Sequence, residues 1–471
     1  MQKHLIDSTA TYPGGINTGH RLFKVSSGLY AGRVVIILQS SSSEIKLTFA
    51  DYPYSTWSAP TTVINDTGDF PFDALIDTDG NIYLAYTLTT TNDLVTRKLS
   101  FSAGNWSTGS LATIYNNDDN YFPSLCLEST GRLWVGWSRL SSGSYYINAK
   151  YSDDMGATWY GGAAVSGETL SSGGTTAFNK LISMDDYIYS VYSFGGAKIY
   201  YRRKQFNSGT WDSESEIFSG SNLDENLDVA SSGDNRIGVV WDDGEIKFKE
   251  FDGNNWSGVI VADTNGGEFP QIKYINNVPY LTFISVVESG QNNILYSYRD
   301  GTGFTIPEIL SKSKTGFAKL FCYDLSSASF EDLTVAAGDS TVSDIFHSDS
   351  SAIIKDTGDT LYLGLTEKYH YLKSILSTAG VGGVVNWQYY DGNEWVSFVP
   401  LGGAWNFDDT NKGLLLWDDI YSVPDGWQKN SINGSELFWI KVTVTTTFTT
   451  GPVGTQMTTV PDIKAAVLME R

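Results

Sequence analysis

Short apolar strands recur through the first two thirds of this sequence at intervals of about fifty residues, and this repetition limits the possible folds more than any other feature. Most copies follow a turn signal rich in Gly, Asn or Asp. The six copies are Val34-Val-Ile-Ile-Leu, Ile82-Tyr-Leu-Ala-Tyr, Leu133-Trp-Val-Gly-Trp, Ile188-Tyr-Ser-Val-Tyr, Ile237-Gly-Val-Val-Trp and Pro279-Tyr-Leu-Thr-Phe. Repetition with such a period indicates stacked supersecondary units, because one small unit cannot bury its own hydrophobic faces.

Two further markers keep the same period. An aromatic residue follows a hairpin in every unit, at Trp57, Trp106, Trp159, Trp211, Trp256 and Phe304. An aromatic–proline pair opens three units, at Phe70-Pro71, Phe122-Pro123 and Phe269-Pro270. Each unit therefore reads as four antiparallel strands, and six units predict an all-β fold with a six-bladed β-propeller over residues 1–315. A pair of sandwiches would not require so even a period.

The third unit contains the most specific local motif, Ser152-Asp153-Asp154-Met155-Gly156-Ala157-Thr158-Trp159. It resembles the Asp-box, S-x-D-x-G-x-T-W, of sialidase-like propellers with BNR repeats. The resemblance implies a structural role for Ser152, Asp154, Gly156, Thr158 and Trp159, on the face away from a ligand funnel. In such a hairpin the carboxylate accepts backbone N–H groups, the glycine adopts a positive φ and the tryptophan packs between sheets.

The sequence pattern changes after residue 314. We expect 316–329 to be a linker and 330–471 to form a β-sandwich of the jelly-roll or immunoglobulin-like kind, since alternating strands are separated by Asp-Gly and Asn-Gly turns. The segments are Gly358-Asp-Thr-Leu-Tyr-Leu-Gly364, Trp387-Gln-Tyr-Tyr-Asp-Gly-Asn-Glu-Trp395, Val423-Pro-Asp-Gly-Trp427 and Ile432-Asn-Gly-Ser-Glu-Leu-Phe-Trp-Ile-Lys-Val442. This succession resembles a β-sandwich module of tailed-phage virion proteins, with Phe438 in place of the usual Tyr and Lys441 in place of Arg. The resemblance implies virion assembly or attachment.

The composition argues against several classes of protein. With 31 Lys and Arg against 53 Asp and Glu, the net charge of −22 has the wrong sign for a protein that wraps nucleic acid. Neither a signal-peptide core nor an apolar run of about 18 residues occurs, so we expect synthesis in a host cytoplasm and no membrane insertion. The cysteines and histidines lack metal-ligand spacing, which predicts no metal and no cofactor, although the acidic loops leave Ca²⁺ open.

The resemblance to sialidases raises the question of catalysis. That family uses three arginines around the substrate carboxylate, a Tyr–Glu pair and an Asp. Most arginines here fall in turns or on third strands, which leaves Arg21, Arg33 and Arg139, and Arg33 begins a strand at the wrong end. We therefore predict no sialidase activity and no catalytic residues. A different glycosidase that uses paired carboxylates stays open.

The predicted funnel is lined instead with acidic side chains. The loops that enter first strands and follow second strands contribute the candidate ligand-binding residues Asp69, Asp118, Asp119, Arg139, Asp224, Glu225, Asp242, Asp243 and Glu268. Clustered carboxylates beside aromatic rings can hydrogen-bond sugar hydroxyls or hold Ca²⁺. Asp is also favoured in solvated turns that bind nothing, and this interpretation stays open beside the other two.

These observations favour a structural protein of a bacteriophage virion, placed on the tail or capsid as a fibre, spike or decoration. We expect the propeller to bind a host-surface glycan or receptor, and the C-terminal domain to contact other virion proteins. A symmetric homo-oligomer is expected, because virion proteins usually assemble in that way. Two alternatives remain: a glycan-cleaving depolymerase that uses funnel carboxylates, and a bacterial lectin-like adhesin or part of a phage-derived injection system.

Overall fold

The computed structural model describes residues 21–461 apart from 53–56, 69, 176, 221–222, 224–226, 289–290, 312–314, 401–402 and 418–422. The chain divides into two compact units, one built mainly from residues up to 308 and the other mainly from residues 309 onward. The described part of the chain contains one short helix, α1 (Thr334–Gly338), and its other regular elements are all β-strands. The predicted all-β class is therefore confirmed.

The first unit contains six antiparallel sheets in chain order, here numbered 1 to 6, whose strands pair in sequence order. Sheets 1 and 2 consist of β1 (Leu22–Lys24), β2 (Val34–Ser41), β3 (Glu44–Ala50), β4 (Thr61–Ile64), β5 (Asp73–Ile76), β6 (Ile82–Thr87), β7 (Leu94–Ser102) and β8 (Asn105–Tyr115). Sheets 3 and 4 consist of β9 (Asp119–Leu127), β10 (Leu133–Ser141), β11 (Ser144–Ser152), β12 (Glu168–Thr169), β13 (Ala177–Met184), β14 (Tyr187–Phe194), β15 (Lys198–Gln205) and β16 (Ser215–Ser219). Sheets 5 and 6 consist of β17 (Leu227–Ser231), β18 (Ile237–Asp242), β19 (Ile246–Phe251), β20 (Ile260–Asp263), β21 (Glu268–Ile275), β22 (Val278–Glu288), β23 (Gln291–Asp300), β24 (Gly303–Phe304) and β25 (Glu308–Ser311), which pairs with β23.

The first strands of successive sheets are neighbours in space, so that β5, β9, β13, β17 and β21 form a series. Six equivalent side chains lie on the first strands or, for Arg21, directly before one, each opposite the fourth residue of the recurring apolar strand: Arg21, Asp73, Ser124, Lys180, Asp228 and Gln271. We call them the axis set. Asp73 Oδ2 accepts the backbone N–H of Leu125 in the next sheet at 2.7 Å. Asp228 Oδ2 accepts that of Ile272 at 3.0 Å. Side-chain acceptors thus satisfy backbone donors between sheets.

The axis set also carries balanced charge. The Arg21 guanidinium carbon lies 3.6 Å from the centroid of the Phe72 ring, and Arg21 donates to the Phe72 carbonyl. Burial lowers the pKa of Arg21 to about 10, and the charge of Asp73 opposes that shift. Lys180 Nζ lies 3.7 Å from Asp228 Oδ1. Two cations and two anions therefore cancel within the set.

A second set of equivalent side chains lies on the third strands, opposite the third residue of the recurring apolar strand. The cations at that position are Arg97, Lys150, Arg202 and Lys249. Lys150 Nζ donates to the carbonyl of Ile114, in the last strand of the preceding sheet, at 2.7 Å. Lys249 Nζ donates to the carbonyl of Ile217 in the same way at 2.8 Å. An ammonium group therefore ties each of sheets 3 and 5 to the sheet before it.

The apolar core of this unit is divided among clusters that each join two neighbouring sheets. The cluster between sheets 1 and 2 includes Val35, Ile37, Leu84 and Tyr86. Further clusters join sheets 2 and 3, sheets 3 and 4, and sheets 4 and 5. Sheets 2, 3 and 4 thus each bury both faces against their neighbours, as the sequence period requires.

The Asp-box forms the turn that follows β11. Ser152 Oγ donates to Asp154 Oδ1 at 2.7 Å, and the Asp154 carboxylate accepts the backbone N–H and the hydroxyl of Thr158 at 2.7 and 2.6 Å. Gly156 has a φ of 86°, and Trp159 is buried between sheets 2 and 3. Burial opposes ionisation of Asp154, but these hydrogen bonds outweigh it and lower the pKa of the carboxyl group. Ser152, Asp154, Gly156 and Thr158 therefore act locally in the turn, whereas Trp159 packs between two sheets.

The second unit contains two antiparallel sheets. The four-stranded sheet has the order β26 (Thr315–Gly316), β36 (Val453–Pro461), β30 (Tyr369–Thr378) and β33 (Asn411–Leu415). The seven-stranded sheet has the order β28 (Ser329–Asp332), β27 (Lys319–Asp324), β29 (Thr360–Leu365), β35 (Ser435–Thr446), β31 (Val384–Tyr390) and β32 (Trp395–Phe398), with β34 (Lys429–Ile432) paired to β35. One hydrophobic cluster contains residues of both sheets, among them Leu363, Ile440, Leu372 and Met457.

Residues 316–329, expected as a linker, contain β27 of the seven-stranded sheet. Leu320 and Cys322 are fully buried in the core of the second unit, whereas Tyr323 is only partly buried. Phe321 between them is also buried, in a cluster with Leu437 and Trp439, so β27 buries side chains on both faces of the sheet. The second unit therefore begins before residue 330, where the sequence pattern placed the start of the sandwich.

Candidate functional site

Two loops lie at one end of each sheet in the first unit: the loop that leads into the first strand and the loop that follows the second strand. They share an end because the two strands are antiparallel; in sheet 3, Asp119 pairs with Leu140. The turn between the third and fourth strands, which holds the Asp-box, lies at the opposite end. We call the ends of the sheets that carry these two loops, with the adjoining strand residues, the rim.

Asp118, Arg139 and Tyr115 form a hydrogen-bonded group on the rim of sheet 3. Arg139 Nη1 lies 3.1 Å from Asp118 Oδ2, and Tyr115 OH donates to the same oxygen at 3.0 Å. Arg139 Nε also donates to Asn148 Oδ1 at 3.3 Å. Asp118 has a φ of 57°, a conformation that Asp tolerates in turns. The two predicted residues of this group are therefore brought together, and they pair with each other.

Asp119 belongs to a second group, which bridges sheets 2 and 3. Asn92 Nδ2 donates to Asp119 Oδ1 at 2.8 Å, and Asn120 Nδ2 donates to the Asn92 carbonyl at 3.0 Å. Thr87 Oγ1 donates to the Asn120 carbonyl at 2.8 Å. Burial raises the pKa of Tyr121, and the charge of Asp119 adds to that shift. The Asp119 carboxylate is thus held by groups from two sheets.

Asp242, Asp243 and Glu268 lie on the rim of sheets 5 and 6 with unequal exposure. Asp242 is 1% exposed and accepts the backbone N–H of Phe269 at 3.3 Å. Asp243 forms an ion pair with Lys247 at 2.8 Å. Glu268 is exposed at the start of β21. Asp242 therefore acts inside the fold, because its carboxylate is too buried to meet a ligand from solvent.

Three predicted residues lie outside the described part of the chain: Asp69, Asp224 and Glu225. Asp66 forms a further rim group that the sequence analysis did not select. Arg97 Nη2 lies 2.5 Å from Asp66 Oδ2, and Tyr86 OH donates to Asp66 Oδ1 at 2.9 Å. Asn92 was also missed, although an Asn next to an Asp in a loop after a second strand is the kind of signal that found the others.

Four aromatic side chains line the rim of sheets 2 to 4, and we call them the aromatic arc: Phe70, Tyr121, Phe122 and Phe178. The ring centroids lie 5.0 Å apart between Phe70 and Tyr121, and 6.0 Å apart between Tyr121 and Phe122. Those of Phe122 and Phe178 are 4.4 Å apart. Phe178 is buried, whereas the other three rings are partly exposed. The arc offers a continuous aromatic surface whose Tyr121 ring lies next to the Asp119 carboxylate.

The three arginines that were conceivable funnel residues do not converge. Arg21 contacts Phe72, which directly precedes the first strand of sheet 2. Arg33 lies at the start of β2 and pairs with Asp51 at 2.6 Å. Arg139 binds the rim carboxylate described above. Each guanidinium therefore has its own intramolecular partner, and the three do not form a common carboxylate-binding site.

Within the described residues, no group of three or more His, Cys, Asp or Glu side chains is placed to hold a metal ion. Among the helices of that same part of the chain, none is long and apolar enough to cross a membrane. Cys126 and Cys322 are buried free thiols, and burial raises the pKa of both.

No family model and no curated protein matches this sequence. Among solved structures, a polysaccharide lyase of type PL25, an ulvan lyase, is similar over 76% of this chain and 92% of its own, with 10% identity and a TM-score of 0.49. A fucose-specific lectin from Aleuria aurantia is similar over 60% of this chain and 92% of its own, with 15% identity and a TM-score of 0.41. A sialidase from Trypanosoma rangeli is similar over 98% of this chain and 95% of its own, with 8% identity and a TM-score of 0.40. Similarity at this level does not define a function for this chain.

Proposed function

We propose that this chain is a glycan-binding structural protein of a bacteriophage virion. In this proposal the six sheets close into a six-bladed β-propeller whose rim binds a glycan on the host surface without cleaving it. The two sheets of the second unit form a β-sandwich that contacts other virion proteins, and the protein acts as a homo-oligomer. The axis set supports the propeller, because equivalent side chains from successive first strands link neighbouring sheets.

One observation carries the binding function: hydrogen-bonding groups from two sheets are held in fixed positions beside partly exposed rings. Asp119 is fixed by Asn92, and Asn120 is fixed by the carbonyl of Asn92. Groups that are already ordered lose little entropy when a ligand binds. A concave surface with aromatic rings and a few placed polar groups is also the usual composition of a small-ligand site.

Glycan binding is tested with the full chain on a glycan array, comparing wild type with the double variant Asp118→Ala/Asp119→Ala. We expect the wild type to bind and the double variant to lose at least tenfold in affinity. Asp252→Ala is the matched control, since Asp252 is an exposed turn carboxylate between third and fourth strands, at the end away from the rim. Unchanged binding in the double variant would return Asp118 and Asp119 to the role of solvated turn residues.

Cleavage is the alternative that this proposal excludes. Incubation of the protein with host surface polysaccharide, followed by chromatography of the soluble fraction, measures released oligosaccharide. We expect binding without release. Release by the wild type that is lost in the double variant would favour a depolymerase that uses rim carboxylates.

The virion role rests on the resemblance of the C-terminal sequence motifs to a module of tailed-phage virion proteins, and several residues of these motifs stabilise the fold of the second unit. Asp359 Oδ2 accepts the backbone N–H groups of Lys355 and Asp356 at 3.0 and 2.8 Å. Trp427 Nε1 donates to the carbonyl of Trp439 at 3.2 Å. Immunogold labelling of purified phage particles tests the location: label on the tail or capsid is expected, and unlabelled particles from a lysate that contains the protein would overturn it.

A further inference from the structure

Two phenylalanines on the rim adopt a backbone conformation that bulky side chains rarely take. Phe122 has a φ of 51° and Phe269 a φ of 54°, and a proline follows each. A positive φ in a bulky residue is an outlier, and a following proline normally favours extended backbone. The two residues occupy equivalent positions in sheets 3 and 6. Strained positions of this kind persist where the surrounding structure holds them, and they cluster at binding sites.

A β-bulge accompanies each strained residue. In sheet 3 the pair Phe122-Pro123 stands opposite the single residue Trp137, and in sheet 6 the pair Phe269-Pro270 stands opposite Phe283. A bulge next to a functional site changes the direction in which a side chain projects from the strand. The Phe122 ring consequently reaches Phe178 of the next sheet, and Phe269 stays 40% exposed.

We propose that the aromatic arc is the surface on which a sugar ring stacks, and that the sugar is a neutral pyranose. This inference rests on the proposed glycan-binding function and names its binding surface and ligand class. A pyranose ring has an apolar face of C–H groups and a polar edge of hydroxyls. The partly exposed rings of Phe70, Tyr121 and Phe122 match the apolar face.

The polar edge of such a sugar meets Asp119 and Asn92. Asp119 Oδ1 accepts one hydrogen bond from Asn92, and an ionised carboxylate has capacity to accept several more. A hydroxyl of a sugar that stacks on Tyr121 can therefore donate a hydrogen bond to Asp119. The side-chain oxygens of Asp119 and Asn92 are hydrogen-bond acceptors, so they suit hydroxyl donors better than anionic groups, which are acceptors themselves.

Charge selects the ligand class. Asp119 is the carboxylate that faces Tyr121, and the neighbouring cation Arg139 is paired with Asp118. These three groups sum to one negative charge. A sugar carboxylate or sulfate placed on the arc would meet like charge without a compensating cation from this group, which disfavours binding.

The test uses the full chain on an array that pairs neutral oligosaccharides ending in galactose, glucose or N-acetylglucosamine with sialylated, uronate-containing and sulfated counterparts. The neutral glycan that binds best is then titrated against each variant. We expect Tyr121→Ala to weaken binding about tenfold, since the loss of one stacked ring contributes on that order. Tyr121→Phe keeps the ring and should stay within about threefold of wild type.

Tyr160→Ala is the matched control, because Tyr160 is 65% exposed and lies beside the Asp-box turn, where it stacks on Tyr151. Phe70→Leu is a second arc variant, which removes a ring with little loss of volume, and thermal melting checks that each variant is folded. Binding of no glycan by the wild type overturns the proposed function. Glycan binding that survives both Tyr121→Ala and Phe70→Leu overturns only the arc, and preferential binding of anionic glycans overturns the neutral class.

Discussion

The two units of this protein bury their hydrophobic side chains in different ways. In the first unit, separate clusters each join two neighbouring sheets. In the second unit, one cluster of 27 buried residues draws on both sheets, and a small second cluster contains Phe321, Leu437 and Trp439. A divided core makes stability depend on contacts between neighbours, as in repeat proteins, whereas a large shared core makes each large side chain within it matter to the whole unit.

Both units bury polar side chains. Where first strands lie side by side without a shared ladder, the first unit buries Asp73 and Lys180, and Asp73 accepts a backbone N–H of the next sheet. The second unit also buries charged side chains, such as Asp359 and Lys373, and it places aromatic rings at its centre, with Trp387, Trp405 and Trp427 almost fully buried. The repeated sheets are thus joined by polar contacts as well as by apolar packing, and variants can separate the two contributions.

The largest effect is expected from Trp427→Ala in the large shared core. Trp427 is fully buried, and its ring centroid lies 5.1 Å from that of Tyr369 and 5.5 Å from that of Trp417. The variant should lower the free energy of unfolding of the second unit by about 4 kcal/mol. Hydrogen exchange is the measurement, and protection should fall across the second unit as a whole. Trp427→Phe should cost less, and loss of protection confined to a few residues around Trp427 would argue against one cooperative core.

A smaller and more local effect is expected from Asp73→Ala in the axis set. The variant leaves the Leu125 N–H without its acceptor and Arg21 without a nearby negative charge. We expect a loss of about 3 kcal/mol, the lower end of the range for breaking a buried ionic contact. Exchange should accelerate in β5 and β9 more than in β17 and β21. Asp73→Asn keeps an acceptor and should lose less; equal acceleration in all six sheets would contradict neighbour-dependent stability.

The smallest effect is expected from Lys150→Met on the third strand of sheet 3. Lys150 Nζ donates to the carbonyls of Ile114, Gly162 and Val165 at 2.6 to 2.7 Å, and their loss should cost about 2 kcal/mol near pH 7. Burial lowers the pKa of Lys150 from 10.5 to about 8. Between these values the unfolded chain binds more protons than the folded chain, so this group makes stability rise as the pH increases from about 8.

The pH dependence of that prediction is measured as the difference in unfolding free energy between wild type and Lys150→Met from pH 7 to pH 9.5. The difference should grow toward the upper end of this range, because only the wild type carries the rising contribution. Lys198→Met is the control, since Lys198 is a partly exposed lysine whose pKa is raised by its hydrogen bond with Glu216. A difference that stays flat over the range would show that Lys150 keeps its proton throughout.

Most of the fold of the first unit was predictable, because the recurring apolar strand is the second strand of every sheet, from β2 to β22. The candidate site was predictable in part. Asp118, Asp119 and Arg139 lie together on one rim, since loop position follows from strand order. The burial of Asp242 was not predictable, because it depends on how closely Phe269 in β21 approaches this carboxylate. No sequence feature singled out Tyr121 as a site residue, although it stands next to the Phe122-Pro123 pair.

The sequence by itself determined the period, the four-strand unit and the Asp-box turn, because these depend on side-chain alternation and on contacts between residues close in the chain. Only the tertiary structure decided which charges meet. Asp73 accepts a hydrogen bond from the backbone N–H of Leu125, and Lys150 donates one to the carbonyl of Ile114, each across the gap between two sheets. It also decided that Phe122 adopts a positive φ, because that strain is held by packing against the next sheet and not by any local preference of the chain.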